Sequence, residues 1–452
     1  MAIATEKSFR ALLAKSDVSP IARPLDALVA RAPGRLDVMG GIADYCGSVV
    51  LEGTLDLAAW VAVEPREDAD IVVYSRQAEA EGWAAEVRMG MHKLAASRYD
   101  ELRYTLVEEK GAAWATYVLG AVPVLVREGV IKPPRKGMSL AIHSDVPLGA
   151  GVSSSAALEV ASMSAIQRLL GFPLDGLDMA RLCQIVENRV AGAPCGIMDQ
   201  VTSALGQESG LLALRCQPHD VLGHNPLPEG WGVYGINSAV KHAVGGGRYT
   251  RARVGAFMGL RIITKDLGLR PRGGYLCNIT PEQYTAGIRE RLPAKMRGCE
   301  FKAKYGKTQD TVTTVRPDMT YSVRGCAEHP IYENRRVQDF VDLMHDGSRK
   351  AAERAGQLMY GSHWSYGNRA GLGCAETDLI VRLVKERGPE NGLVGAKITG
   401  GGSGGTVAIL TYGDAHAAVC ETAAEYSRLS GNAAQVFSGS SPGAVSWLAD
   451  AT

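Results

Sequence analysis

Between Pro147 and Ala157 the chain reads Pro-Leu-Gly-Ala-Gly-Val-Ser-Ser-Ser-Ala-Ala, a run whose residue types suit an anion. Gly149 and Gly151 remove side chains where a bulky phosphate must approach the backbone. Ser153, Ser154 and Ser155 are residues that open and cap helices, whose first amide hydrogens lack partners. A helix start carries partial positive charge and binds phosphate readily. The segment is therefore expected to be a phosphate-holding element, with a serine cap on the helix behind it. Two other glycine patterns fail. Gly306-Lys307-Thr308 has Phe301 where a phosphate-binding P-loop needs its first glycine, and Gly400, Gly402 and Gly405 run into the strand-like Thr406–Leu410, whereas a dinucleotide fingerprint needs a helix there.

The elements that must position this loop can be read around it. Ser139–Val146 alternates like a strand, and Ser155–Leu170 places Leu158, Ser162, Ile166 and Leu169 at helical spacing. Leu177–Val190 predicts a second helix, and Asp199–Leu205 the start of another. The turn-rich Cys216–Gly230 stretch, with three prolines, marks the expected boundary between residues 1–220 and 221–452. Gly232–Ile236, Ala396–Thr399 and Thr406–Thr411 predict strands of the second half, and the irregular stretch around 270–329 reads as an insertion. Strands and helices alternate without the beat of a doubly wound parallel sheet, which predicts an α+β fold in two lobes.

Bulk properties narrow the function classes. A chain of 452 residues is too long for one ordinary core. Its 49 basic and 48 acidic residues give a net charge of +1, without the basic surplus of a nucleic-acid binder. No apolar run is long enough to span a bilayer, and the first twenty residues lack the apolar stretch of a signal peptide, so a cytoplasmic location is expected. The nine cysteines are scattered singly with no CxxC pair, which argues against a disulfide framework or a structural zinc site.

Four segments in order resemble the GHMP kinases, named for galactokinase, homoserine kinase, mevalonate kinase and phosphomevalonate kinase. They are Ala32–Tyr45 (APGRLDVMGGIADY), Pro147–Ala157, Glu187–Gln200 (ENRVAGAPCGIMDQ) and Val394–Gly405 (VGAKITGGGSGG). Weaker echoes are Asn237-Ser238 with His242, and Tyr249 with Arg253. The resemblance covers about residues 28–450. It implies a ribosomal-protein-S5-like N-terminal lobe, a ferredoxin-like C-terminal lobe and an active site between them. Within the family the chain resembles the sugar 1-kinase branch, the L-arabinokinase subgroup first and galactokinases second. A non-catalytic sugar sensor is the alternative from another class, against which the intact Arg35, Asp199 and serine loop speak.

The resemblance implies ATP and Mg2+ as cofactors and a small sugar as substrate. Asp199 matches the family's catalytic aspartate and Arg35 the arginine beside it. Gly149, Gly151, Ser153, Ser154 and Ser155 match the phosphate loop, and Trp114 an adenine-side position. Ser155 and Glu187 match the magnesium ligands of mevalonate kinase-like members. Asp44, Gly196 and Tyr249 match sugar contacts. Galactokinases read Gly-Glu-His-Thr-Asp-Tyr where this chain reads Gly40-Gly41-Ile42-Ala43-Asp44-Tyr45. The glutamate that reaches galactose's hydroxymethyl group is Gly41 here, and the histidine is Ile42. L-Arabinose lacks that exocyclic group, and a buried carboxylate left unpaired would cost roughly 1–3 kcal/mol. Restoring a glutamate at 41 is therefore expected to shift preference toward galactose.

Overall fold

A computed structural model describes residues 5–15, 19–241 and 247–450. The His242 echo lies outside the described residues. The first strands, β1 (Leu28–Met39) and β2 (Val49–Pro65), form a long antiparallel pair. Both are almost continuously buried, the charged Arg31, Arg35, Asp37 and Glu52 included, because helices cover one face and the C-terminal half of the chain abuts β1. β3 (Asp70–Ser75), β4 (Glu86–Gly90), β5 (Met138–Ser144), β6 (Gly210–Arg215) and β7 (Asp220–Pro226) complete a seven-stranded sheet. Its order is β4-β3-β5-β2-β6-β7, with β1 on β2 and only β3–β5 parallel.

The helix Ser154–Leu170 packs on β1 and β2 and is buried through Ala156, Ala157, Val160, Ala161, Met163, Ala165 and Ile166. Small residues at four of these seven positions bring its axis close to the sheet, which fixes where its N-terminus emerges. The expected helix over 177–190 begins at Gly176, capped by Asp175, and turns into a π-helical segment over Val186–Ala191. Such widened turns often mark functional sites, and this one carries Glu187.

The second sheet begins with β8 (Trp231–Asn237). A two-residue pair, β9 (Met296–Arg297) and β10 (Thr320–Tyr321), stands apart from it. β11 (Leu393–Ile398), β12 (Thr406–Tyr412) and β13 (Gln435–Phe437) join β8 in the order β11-β12-β8-β13, all antiparallel. Helices Arg349–Ser365, Ala375–Arg387 and His416–Ser430 pack with this sheet. Two long helices, Gly247–Asp266 and Val323–Asp346, pack against each other; the second takes in residues 323–329 of the expected 270–329 stretch, and the remainder folds largely into short helices around a core of Leu276, Tyr284, Ile288 and Phe301. The α+β character expected from the sequence holds. No described helix is long and apolar enough to cross a membrane.

The candidate active site

The phosphate loop joins β5 to the helix Ser154–Leu170. Gly149, Gly151 and Ser153 take φ of 69°, 72° and 60°. Left-handed residues at alternate positions let successive amides converge on one concavity, the arrangement of an anion nest. The expected serine cap does not form. Ser153 occupies the N-cap with left-handed backbone, makes no capping bond, and its buried Oγ has no partner among the described residues. A capping side chain needs extended backbone to reach the amides of the next turn. Those amides are therefore left to another acceptor.

Behind the loop stands a second glycine turn. A Cβ on Gly400 would lie 2.6 Å from the Gly151 carbonyl oxygen, and one on Gly405 2.7 Å from that of Ala150. The Thr406 hydroxyl donates to the Ala150 carbonyl at 2.8 Å. Glycine at 400 and 405 thus lets the C-terminal sheet close directly onto the phosphate loop.

Asp199, in the first turn of the helix Met198–Leu205, faces Arg35 of β1. Arg35 donates from Nε and Nη2 to Asp199 Oδ1 at 2.9 and 2.7 Å, and from Nη1 to the Gly151 carbonyl at 2.7 Å. Asp199 Oδ2 has no protein partner among the described residues. Burial works to discharge Arg35, but the carboxylates of Asp199, Glu52 and Asp37 outweigh it and hold the guanidinium charged. Arg35 thus ties the aspartate to the phosphate loop at a fixed separation.

An open cavity of about 740 Å³ lies before this pair. Gly149, Gly151, Ser153, Ser154, Ser155 and Glu187 line it together with Ile42, Asp44, Gly196 and Tyr249. Ile42 holds φ 62°, an outlier for a β-branched residue, of the kind that clusters at functional sites. Burial pushes the Asp44 carboxyl up to about 6, against the opposing charge of Arg253. Gly196 is packed so tightly on that carboxyl that a Cβ there would meet Oδ2 at 1.4 Å.

Gly41 does not line the cavity. It lies behind the wall, its amide donating to Asp37 Oδ1 at 3.2 Å and its carbonyl accepting from His329 Nε2 at 3.0 Å. A Cβ at 41 would point at Asp37 Oδ2 and the Tyr366 hydroxyl, 1.9 and 2.1 Å away. A glutamate restored at 41, expected from the sequence to shift preference toward galactose, would therefore meet occupied space. The space is filled by a buried network in which Tyr366 and Lys397 both donate to Asp37 Oδ2, at 3.0 and 2.8 Å.

Glu187 is buried beside Ser155. Burial and the Asp199 charge raise its carboxyl to about 7, opposed by hydrogen bonds from Ser155, Cys195 and Gln200. Gln200 Nε2 bridges Glu187 Oε2 at 2.5 Å and Glu159 Oε2 at 3.1 Å. A carboxylate and a hydroxyl side by side suit a hard cation. Among the described residues no group of three or more His, Cys, Asp or Glu forms a metal site. A cation held there would complete its shell from water and a bound ligand's oxygens.

Trp114 does not line the first cavity but a second one of about 1890 Å³, lined also by Ala78, Trp83, Val107, Tyr117, Ile142 and Leu158. Its indole N–H donates to the Ala84 carbonyl at 2.9 Å. The two cavities share Gly149, Ser154 and Ser155, so they meet at the phosphate loop.

Sequence reasoning missed Glu52, Lys397 and Gln200. Glu52 lies 3.3 Å from Arg35 Nε, and burial first, then the Asp37 charge, raises its carboxyl. The available signal was a lone charge in the apolar strand Val49–Leu55. Lys397 is fully buried on β11 among apolar neighbours, the same signal.

The chain is similar to known proteins in sequence and in fold. The model of the GHMP kinases N terminal domain matches residues 116–207, and that of the galactokinase galactose-binding signature residues 22–65. The chain is 37% identical to the L-arabinokinase of Arabidopsis thaliana over 93% of its own length, and spans 46% of that longer protein. It is 31% identical to the galactokinase of Chloroflexus aggregans, with 84% of this chain and 83% of that one covered. The fold is that of Lactococcus lactis galactokinase solved with galactose, at TM-score 0.74 and 20% identity over 93% and 94% of the two chains.

Proposed function

The chain belongs to the GHMP kinase family, in its galactokinase-like branch, and from that premise we propose that it is an ATP-dependent sugar 1-kinase whose preferred substrate is L-arabinose. The sugar occupies the wall of Ile42, Asp44, Gly196 and Tyr249, and ATP lies across the phosphate loop with its base toward Trp114. The meeting of the two cavities at Gly149, Ser154 and Ser155 supports this placement. Phosphoryl transfer to a hydroxyl demands positioning and charge stabilisation more than covalent chemistry. Asp199 accepts the proton of the anomeric hydroxyl as that oxygen bonds to the γ-phosphorus; the bond to the bridging oxygen breaks and ADP leaves. Arg35 fixes the carboxylate and stabilises charge on the transferred group. Amides of the phosphate loop bind the phosphate oxygens. Ser155 and Glu187 would hold Mg2+, which offsets phosphate charge when bound.

The observation that carries the sugar assignment is the Gly41–Ile42 pair. Side-chain space at 41 is taken by Asp37 and Tyr366, and the neighbouring position presents an apolar isobutyl-sized group to the cavity. A pentose without an exocyclic hydroxymethyl group leaves no hydroxyl unpaired against that surface. A second reading, D-galactose, is favoured by the match of residues 22–65 to the galactose-binding signature. Turnover with ATP across a panel of free sugars separates the two. A higher kcat/KM for L-arabinose than for D-galactose is expected; a wide margin for galactose rejects the arabinose assignment, and binding without turnover favours a sensor.

A further inference from the structure

Arg253 and Asp310 form one of the most enclosed ion pairs in the molecule, with side chains 7% and 3% exposed. Arg253 belongs to the helix Gly247–Asp266, and Asp310 to the loop after the short helix Gly298–Tyr305, inside the 270–329 stretch. The pairing is bidentate: Nε donates to Oδ2 and Nη2 to Oδ1, both at 2.9 Å. Asp310 is itself fixed by the amides of Val312 and Thr313 and by the Thr313 hydroxyl at 2.5 Å. An isolated buried pair is weak evidence for stability, because desolvation offsets much of the attraction. Its geometry carries more information.

The third arm of the guanidinium, Nη1, donates to the Cys195 carbonyl at 3.2 Å. Asn188 holds the same residue from the other side, accepting from the Cys195 amide at 2.9 Å. Cys195 precedes Gly196, which is pressed against the Asp44 carboxyl. The guanidinium also lies over the rings of Tyr45, at 5.3 Å, and Phe257, at 5.7 Å. Tyr249, one turn earlier on the same helix, meets Tyr45 edge-on at 5.9 Å. Every element of the sugar-side wall except Ile42 therefore touches Arg253 or a residue that Arg253 touches. A planar fork has one orientation that serves all these partners, and Asp310 sets it.

Resting on the proposed sugar site, we propose that Asp310 is a positioning residue for the sugar, acting through Arg253, and that the 270–329 stretch thereby belongs to the sugar-binding apparatus. Asp310 does not touch the cavity. It fixes the plane of the guanidinium, which holds the Cys195–Gly196 backbone against Asp44.

Asp310→Asn in the full chain tests this, with KM for sugar, KM for ATP, calorimetric sugar binding and thermal unfolding measured together. The sugar KM is expected to rise about 10–100-fold, the scale for displacing a substrate by an ångström, while the ATP KM stays near wild type. Arg253→Lys keeps the charge without the fork and is expected to show the same split. Thr313→Val, which removes one bond to Asp310 but not the ion pair, provides the measurement if Asp310→Asn fails to fold, with the same split in smaller size. A lowered Tm with unchanged sugar binding, or an equal rise in both KM values, overturns the proposal. Wild-type protein that binds no sugar of the panel rejects the sugar-kinase reading itself. Wild-type binding matched by Asp310→Asn rejects the positioning role alone.

Discussion

The hydroxyl of Tyr366 stands 2.1 Å from where a Cβ on Gly41 would be, although the two residues are 325 positions apart. The hydroxyl lies 3.0 Å from Asp37 Oδ2 and 3.2 Å from the Gly400 carbonyl oxygen, its single proton shared between the two acceptors, so it is held there from two directions. Any side chain at 41 displaces Tyr366 or Asp37.

Gly41→Ala is accordingly expected to lower Tm, the cost of overpacking being about 1–3 kcal/mol. Gly41→Glu alone is expected to impair folding and turnover without moving the sugar ratio toward galactose. Gly41→Glu combined with Tyr366→Ala relieves part of the clash. Tm and kcat/KM for both sugars check this; a well-folded Gly41→Glu that prefers galactose would show that the wall rearranges freely.

Asp199→Asn keeps the shape of the carboxylate but removes its basicity. Its kcat is expected to fall by about 10²–10⁴-fold, the scale for a lost general base. Calorimetric sugar binding should remain. Near-normal turnover would take Asp199 out of the proton transfer.

In metal-free protein Glu187 and Asp44 should contribute a loss of stability as pH rises from about 4 to 7. The folded-state carboxyls of Glu187 and Asp44 ionise near 7 and 6, above their ordinary values of 4.5 and 3.8. Between those limits the folded chain holds protons that the unfolded chain has released, so stability falls as pH rises through the window. Because a cation needs the carboxylate form, Mg2+ affinity should strengthen as pH rises through 7 and then level off. Thermal unfolding against pH, with and without Mg2+, checks both signs, and Glu187→Gln should abolish the metal's effect.

Ser153 holds a left-handed backbone that costs a non-glycine residue roughly 1–2 kcal/mol. Ser153→Gly is therefore expected to raise Tm. Its buried hydroxyl has no protein partner among the described residues and, in the proposed ATP site, would bind a phosphate oxygen, so the same variant should raise the ATP KM. An unchanged ATP KM would assign Ser153 a backbone role only.

Features that rest on neighbouring residues were legible in the chain itself. Gly149 and Gly151 announce a tight turn, the serines a helix start, and the strand-to-helix order around them follows from local periodicity. The order of four motifs then identified the family, and with it the α+β fold. Asp199 and Arg35, 164 residues apart, could be paired only through the family resemblance, since nothing local links them.

Tertiary structure decided the rest. The N-cap of the phosphate helix is unmade because the turn leaves Ser153 left-handed, which serine's usual preference does not foretell. Asp37 meets Lys397 across 360 residues, and Arg253 meets Asp310 across 57. A side chain's type states which partners it can satisfy, but burial decides which one it has. Gly41 shows the division most sharply. The sequence alone determined that no carboxylate stands there, and only the packing of Tyr366 and Asp37 into that space decided that a side chain put back there meets them.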